Sequence, residues 1–198
     1  MDRSFTLDLI RHAPTESNRE KRYLGWTDES VLPFIGAQDE KATRVWGSDL
    51  VRCRETAAVL FPNAEYTADP DFRECHFGDW ELKTYDQLKA DLHYRQWIDD
   101  PELHRPPGGE SLTEMAERVD RAVLKLPDTS SCIVVAHGGP IRYLIAKALK
   151  EEFAQQIVRH GYRYRLTWTS RHAFEEGQPC ISFSEVHLTA NGNSSKTD

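Results

Sequence analysis

An α/β sandwich around a largely parallel sheet is the fold class predicted by the 198-residue sequence. Three observations carry it. Two apolar runs, residues 5–10 and 132–136, are each followed closely by a histidine. The second, "CIVVAH", is a continuous β-branched stretch of the kind buried on both faces of a parallel sheet. Between them lie segments with helical spacing and helix-start signals, so strand and helix alternate along the chain.

The elements follow in order. Residues 5–10 read as a short strand, interrupted only by Thr6 and Asp8 and stopping at Arg11. The stretch "NREKRYLGWTD", 18–28, is basic, aromatic and glycine-containing, which predicts an ordered surface loop. A second strand is expected over 43–46. Ser48 then caps a helix, "DLVRCRETAAVL", in which Leu50, Cys53, Ala57 and Leu60 recur at helical spacing and Arg52 lies away from that apolar face. "TYDQLKADLHYRQW" opens on a capping box, Thr84 with Gln87, and places Tyr85, Leu88 and Leu92 on one side. Ser111 with Glu114 repeats the box before a longer amphipathic helix, whose stripe is Leu112, Met115, Ala116, Val119, Val123 and Leu126. After the Pro127-Asp128 break, the strand 132–137 runs into "HGGPIRYLIAKAL", a glycine turn and a helix with Pro140 near its first turn. "RYRLTWTS" and "CISFSEVHL" are expected as late or edge strands. One domain is expected over 1–189, with a disordered tail over 190–198.

Composition narrows the classes of function. Hydrophobic residues make up 39% and charged residues 29%, as in an ordinary globular protein. No window approaches the roughly 20 apolar residues of a membrane span, and no secretory leader is evident, so a cytoplasmic location with no membrane contact is expected. The net charge of −7 argues against nucleic acid as a partner. Cys53, Cys75, Cys132 and Cys180 lack CxxC spacing, which fits reduced thiols better than a disulfide frame or a zinc site. An anionic small substrate would need a local basic pocket.

That pocket has candidates. His12 and His137 fall just beyond the carboxyl ends of strands, where parallel sheets bind ligands. Alone, Arg11-His12 reads as incidental, Arg52 as a solvated charge and Glu74 in "FRECHFGDWE" as a surface carboxylate. Together, two arginines and two histidines suit a dianionic phosphoryl group, because guanidinium forks match its oxygens. Histidine can attack phosphorus, and a carboxylic acid can protonate the leaving oxygen.

The ordered set "LIRHAPTESN", "GWTD", "SDLVRCRETA", "FRECHFGDWE", "PPGGES" and "VVAHGGPIR" resembles the histidine phosphatase superfamily, the phosphoglycerate-mutase-like proteins named for an Arg-His-Gly motif. The resemblance implies a three-layer α/β/α sandwich with a mostly parallel central sheet. It implies that His12 is the phosphorylated nucleophile, that Arg11 and Arg52 bind the phosphate with His137, and that Glu74 is the proton donor and later the general base. Thr15, Asn18 and Gly138 would line the phosphate site, Trp26 and Arg105 would contact the substrate, and neither metal nor cofactor is needed. Tyr23, Trp97 and His104 are further wall candidates, with packing the stronger expectation for Trp97.

Two departures stand out. Ala13-Pro14 replaces the usual glycine and acidic or amide residue, which would be strained if Ala13 needed φ > 0; Glu16 is a candidate substitute for the acidic group. Residues 29–47 are too short for the usual helix, so a shortened helix or a loop is expected. One sheet face would then be less covered, favouring a homodimer or a more open site. The resemblance lies on the phosphatase side, near α-ribazole and broad-specificity bacterial phosphatases. The expected activity is a metal-independent phosphomonoesterase acting on a small phosphorylated metabolite. The alternatives are a phosphoglycerate-type mutase and a non-catalytic phosphate-binding or regulatory module.

Overall fold

In the computed structural model, which describes residues 3–188, the elements are β1 (Phe5–Arg11), α1 (Glu16–Arg19), β2 (Arg44–Gly47), α2 (Val51–Leu60), β3 (Glu65–Ala68), α3 (Tyr85–Leu88), α4 (Leu92–Asp99), α5 (Leu112–Leu124), β4 (Ser131–Ala136), α6 (Gly138–Leu149), β5 (Tyr162–Trp168), α7 (Arg171–Glu175) and β6 (Ser182–His187). The expected tail, 190–198, lies outside the described residues. The strands form one sheet in the order β3-β2-β4-β1-β5-β6. β1 is interior, parallel to β4 with Thr6 opposite Ser131 and antiparallel to β5 with Phe5 opposite Trp168. β3, β2, β4 and β1 run parallel, whereas β5 and β6 are antiparallel. The expected parallel sheet is thus mixed at one side.

Side chains alternate across a strand, so each strand contributes to both faces. Phe5, Leu7 and Leu9 of β1, Val134 and Ala136 of β4, and Tyr164, Leu166 and Trp168 of β5 share one face. They are buried under α5 and α6 by Met115, Val119, Val123, Ile141 and Ile145. On the opposite face Ile10, Val45 and Val135 meet Cys53, Ala57 and Leu60 of α2, which completes the three layers. Beyond α2 this second face is polar. Arg165 donates two hydrogen bonds to the buried Asp8 carboxylate, both 2.7 Å, Arg163 stands 3.7 Å from Asp8, and the Thr6 and Thr167 hydroxyls are 3.4 Å apart. Residues 29–43 cross this side as a loop without a helix. The loop is tied by the Leu32 N–H to the Pro14 carbonyl, the Asp39 N–H to the Leu60 carbonyl, both 2.8 Å, and an Asp39–Arg163 ion pair of 3.9 Å.

The Ser111–Glu114 and Thr84–Gln87 capping boxes both form. Three local expectations are corrected. Ser48 is not the N-cap of α2: Leu50 occupies that position, the Ser48 hydroxyl accepts from its N–H, and Asp28 accepts from the Val51 N–H at 2.8 Å. The helix expected after Thr84 breaks into α3 and α4, because Asp91 caps a new start through the His93 and Tyr94 N–H groups. Tyr85 and Leu92 are exposed and only Leu88 of the proposed stripe is buried, since this segment packs an aromatic cluster of Trp80 and Tyr94 with Tyr23, Phe77 and Trp97. Trp97 is therefore a packing residue. No helix among the described residues is long and apolar enough to cross a membrane.

Candidate active site

β1 and β4 are parallel neighbours, with Arg11 opposite Ala136, so both strands end at the same edge. The next residues, His12 and His137, meet there with ring centroids 5.0 Å apart. His12 is 3% exposed, and Arg52 and His137 are fully buried.

Hydrogen bonds to groups of fixed character settle both imidazoles. His12 Nδ1 lies 2.7 Å from the Ala13 carbonyl, which can only accept, so Nδ1 carries the proton and Nε2 keeps its lone pair. Burial, helped by the neighbouring Arg52, His160 and Arg11, pushes the His12 pKa well down and keeps the ring neutral. Arg52 Nε donates to His137 Nδ1 at 3.2 Å, leaving the His137 proton on Nε2, 3.4 Å from the Cys53 sulfur. Burial and then Arg52 likewise push the His137 pKa down.

Arg52 projects from α2 under the loop of the "GWTD" motif. Its Nη1 donates to the Thr27 carbonyl at 2.9 Å and its Nη2 to the Gly25 carbonyl at 2.5 Å, so three of its five N–H groups are engaged within the protein. The loop is held by Glu81, whose carboxylate accepts from the N–H groups of Gly25, Trp26, Thr27 and Phe77. Arg11 donates from Nη1 to the Val158 carbonyl at 2.7 Å.

Glu74 is 9% exposed and faces the start of α6. Its carboxylate accepts from the Gly139 N–H at 3.0 and 3.1 Å and from the Cys75 N–H at 2.9 Å. The second glycine of the turn, not singled out by the motif reading, supports the carboxylate. Gly139 supplies the amide and must lack a side chain, since a Cβ there would lie 2.3 Å from Glu74 Oε1. Gly138 lies between Arg11 and Glu74: a Cβ there would be 3.4 Å from both the Arg11 Cζ and Glu74 Oε2.

The remaining candidates divide. Thr15 is buried at the N-cap of α1, and its hydroxyl and N–H pair reciprocally with the N–H and amide oxygen of Asn18. Only the Nδ2 amide of Asn18 is then available to donate. The Trp26 indole N–H donates to the Glu74 carbonyl at 2.9 Å, and its ring lies against Arg73 and His76 at the rim. Arg105 is not gathered into the cluster: it is exposed and pairs with Glu114 at 3.1 Å, in the capping box of α5. Glu16 is likewise on the surface, paired with Arg19. Ala13 has no positive φ, so its β-carbon causes no backbone strain, and its N–H donates to Thr56 Oγ1 at 2.9 Å. Among the described residues no group of three or more His, Cys, Asp or Glu is placed to hold a metal ion.

Two supporting residues have no counterpart in the motif reading. Arg118 of α5, buried, donates to the carbonyls of Asp71, Arg73 and Glu74 and is ion-paired with Glu110, so it pins the backbone that presents Glu74. His160, just before β5, lies edge-on to His12 at 5.2 Å between ring centroids. Its only sequence signal is a histidine beside a glycine ahead of an alternating strand.

Residues 36–182 match the histidine phosphatase superfamily (branch 1), a span that holds Arg52, Glu74 and His137 and begins after His12. The protein named "Probable phosphoglycerate mutase GpmB" of Erwinia tasmaniensis is 33% identical over 158 residues, covering 71% of this chain and 73% of that one. Its namesake in Serratia proteamaculans is 31% identical with the same coverage. Among solved structures, the α-ribazole phosphatase of Shigella flexneri superposes with a TM-score of 0.75 at 21% identity, covering 94% of this chain and 96% of that one. TTHB049 of Thermus thermophilus gives 0.68 at 28% identity, covering 94% and 100%. The first of these two likenesses shows the fold alone.

Proposed function

The chain belongs to the histidine phosphatase superfamily, whose chemistry is phosphatase or mutase-like, and from that premise we propose that it is a metal-independent phosphomonoesterase for a small phosphorylated metabolite of the cytoplasm. One observation carries the reading: a buried, neutral His12 with its proton held on Nδ1, its Nε2 unprotonated, and its ring in the company of His137, Arg52 and Arg11.

In the proposed reaction Nε2 of His12 attacks phosphorus, an N–P bond forms and the ester P–O bond breaks. The departing oxygen takes a proton from the Glu74 carboxyl. Water then gives its proton to the Glu74 carboxylate and attacks phosphorus. The N–P bond breaks, and inorganic phosphate leaves a neutral His12. The guanidinium donors of Arg11 and Arg52 not already engaged bind the phosphoryl oxygens, as does the His137 Nε2–H, which now rests on the weak sulfur acceptor of Cys53. Asn18 Nδ2, Thr15 and the Gly138 amide at the start of α6 complete the lining.

Hydrolysis of p-nitrophenyl phosphate tests the reading. His12→Ala is expected to lose about a thousandfold or more in kcat/KM, and turnover that survives in this variant overturns the nucleophile assignment. Glu74→Gln is expected to slow alkyl phosphates far more than nitrophenyl phosphate, because only the poor leaving group needs the proton; equal losses remove Glu74 from that role.

The curated relatives' name favours a second reading, a phosphoglycerate-type mutase. Against it, the chain between α2 and Glu74 carries only β3 and a 3₁₀ turn, Pro70–Phe72, where a mutase of this resemblance has a longer insertion with further basic residues. With 3-phosphoglycerate, free phosphate is expected; accumulation of 2-phosphoglycerate would decide for the mutase.

A further inference from the structure

The peptide that follows the nucleophile is gripped at both of its polar ends by side chains from distant parts of the chain. The His12 carbonyl, beyond the end of β1, lies 2.7 Å from His160 Nδ1. The Ala13 N–H, the other half of the same peptide, donates to Thr56 Oγ1 at 2.9 Å, and the Thr56 hydroxyl proton goes to the Arg52 carbonyl at 2.7 Å. A carbonyl can only accept, so His160 holds its proton on Nδ1; an amide can only donate, so Thr56 is the acceptor. These two contacts span 148 and 43 residues. The plane they fix ends at the Ala13 Cα, one residue's φ and ψ from the Ala13 carbonyl, and that carbonyl selects the protonated nitrogen of His12.

His160 is suited to this task on two further counts. Gly161, with φ of +75°, turns the chain into β5 in a conformation that other residues rarely adopt, and His160 reaches back over the end of β1 from that turn. Burial and Arg11 push its pKa down to about 4, so at neutral pH it offers the His12 carbonyl one fixed donor.

We propose that His160 is a positioning residue for the nucleophile: with Thr56 it fixes the His12–Ala13 peptide plane, and through it the ring setting that leaves His12 Nε2 free for phosphorus. The proposal rests on His12 being the nucleophile. A residue that only fills space would be replaceable by any side chain of similar bulk, whereas a positioning donor is replaceable only by a group that puts an N–H at the same point.

The test compares His160→Ala, His160→Asn and His160→Gln. Asn places its amide nitrogen near the position of His Nδ1, while Gln carries it one methylene farther out. With p-nitrophenyl phosphate, Ala is expected to lower kcat by about 10- to 100-fold while changing KM by less than about threefold, and Asn to recover to within about fivefold of wild type, the scale of a displaced reacting group. Imidazole ¹⁵N spectra of His12 provide a readout that needs no turnover: one Nδ1-protonated tautomer in wild type and Asn, a mixture in Ala. A folded Ala variant with unchanged kcat and an unchanged tautomer overturns the proposal. Should Ala fail to fold, Gln is expected at least about tenfold below Asn, and equal activity of the two overturns it. If His12→Ala retains turnover, the nucleophile assignment fails instead, a result distinct from any of these.

Discussion

The two faces of the sheet are built on different principles. Under α5 and α6 the strands present an unbroken apolar surface, and the same strands present Thr6, Asp8, Arg163, Arg165 and Thr167 to the other side. That second face needs no covering helix across β1 and β5, because Asp8 is hydrogen-bonded by Arg165, which also meets water, although the Arg163 Nε is buried without a hydrogen-bond partner among the described residues. The loop over 29–43 is then a consistent partner: it crosses a polar surface, and Asp39 is placed to pair with Arg163. The difference teaches that a layer can be thinned without loss of the site, provided the strands beneath it change character.

The largest effect that would sharpen this contrast is on the apolar side. Leu7→Ala, in a fully buried position, is expected to destabilise the protein by about 2 to 5 kcal/mol, and Thr6→Ala on the opposite face by less than about 0.5, both read from urea midpoints. Similar losses at the two sites would break the comparison.

Acid comes next, acting at the seam where His12, His137 and His160 stand. Each has a folded pKa below its unfolded value, so below about pH 6.5 the unfolded chain binds more protons. Stability is unaffected above that pH and falls as the pH drops. For His160, with a folded pKa of about 4, the loss at 1.36 kcal/mol per pH unit is about 3 kcal/mol by pH 4. His160→Asn should flatten the curve of stability against pH by about that much; an unchanged slope would show that His160 is not held neutral.

Asp8→Ala is smaller, about 1 to 3 kcal/mol, since it leaves Arg163 poorly paired while Arg165 still reaches water. The double variant Asp8→Leu, Arg165→Leu should regain most of that stability and self-associate through the new apolar surface, which sedimentation would detect. A double variant that self-associates no more than wild type would mean that the loop alone shields this face. Smallest of all, Ile35→Ser in the exposed part of the loop should shift stability by no more than about 0.5 kcal/mol in thermal unfolding.

Much of this was legible in the residues. The strands ending at His12 and His137, the glycine turn and the capping boxes announce themselves through period and local chemistry. The polar face was also written in the sequence, as the alternation of Thr6 and Asp8 with Leu7 and of Arg163 and Arg165 with Tyr164. Without knowing that β1 pairs with β5, Thr6 and Asp8 read as interruptions of a buried strand rather than as one side of a two-sided one. Arg118, Glu81 and His160 were not legible for a related reason. Their partners are backbone groups far away in sequence, and a backbone group leaves no mark on residue type. Arg105 shows the opposite pattern: a basic residue near a motif reads as a substrate contact, and in the structure it pairs with the nearby Glu114.

The interior place of β1 has a consequence for how the molecule comes into being. The strand that leads into His12 precedes both of its neighbours, β4 and β5, which begin at residues 131 and 162, and the grip of His160 on His12 waits for the same late segment. On a ribosome the histidine would emerge more than a hundred residues before the two strands that flank its own, and closing such long loops is slow. A nascent chain stopped after Lys150 should therefore lack the proposed phosphatase activity even though Arg11, His12, Arg52, Glu74 and His137 are all present. Its reactivity would be installed as one of the last events of folding, when the segment after α6 reaches back to β1.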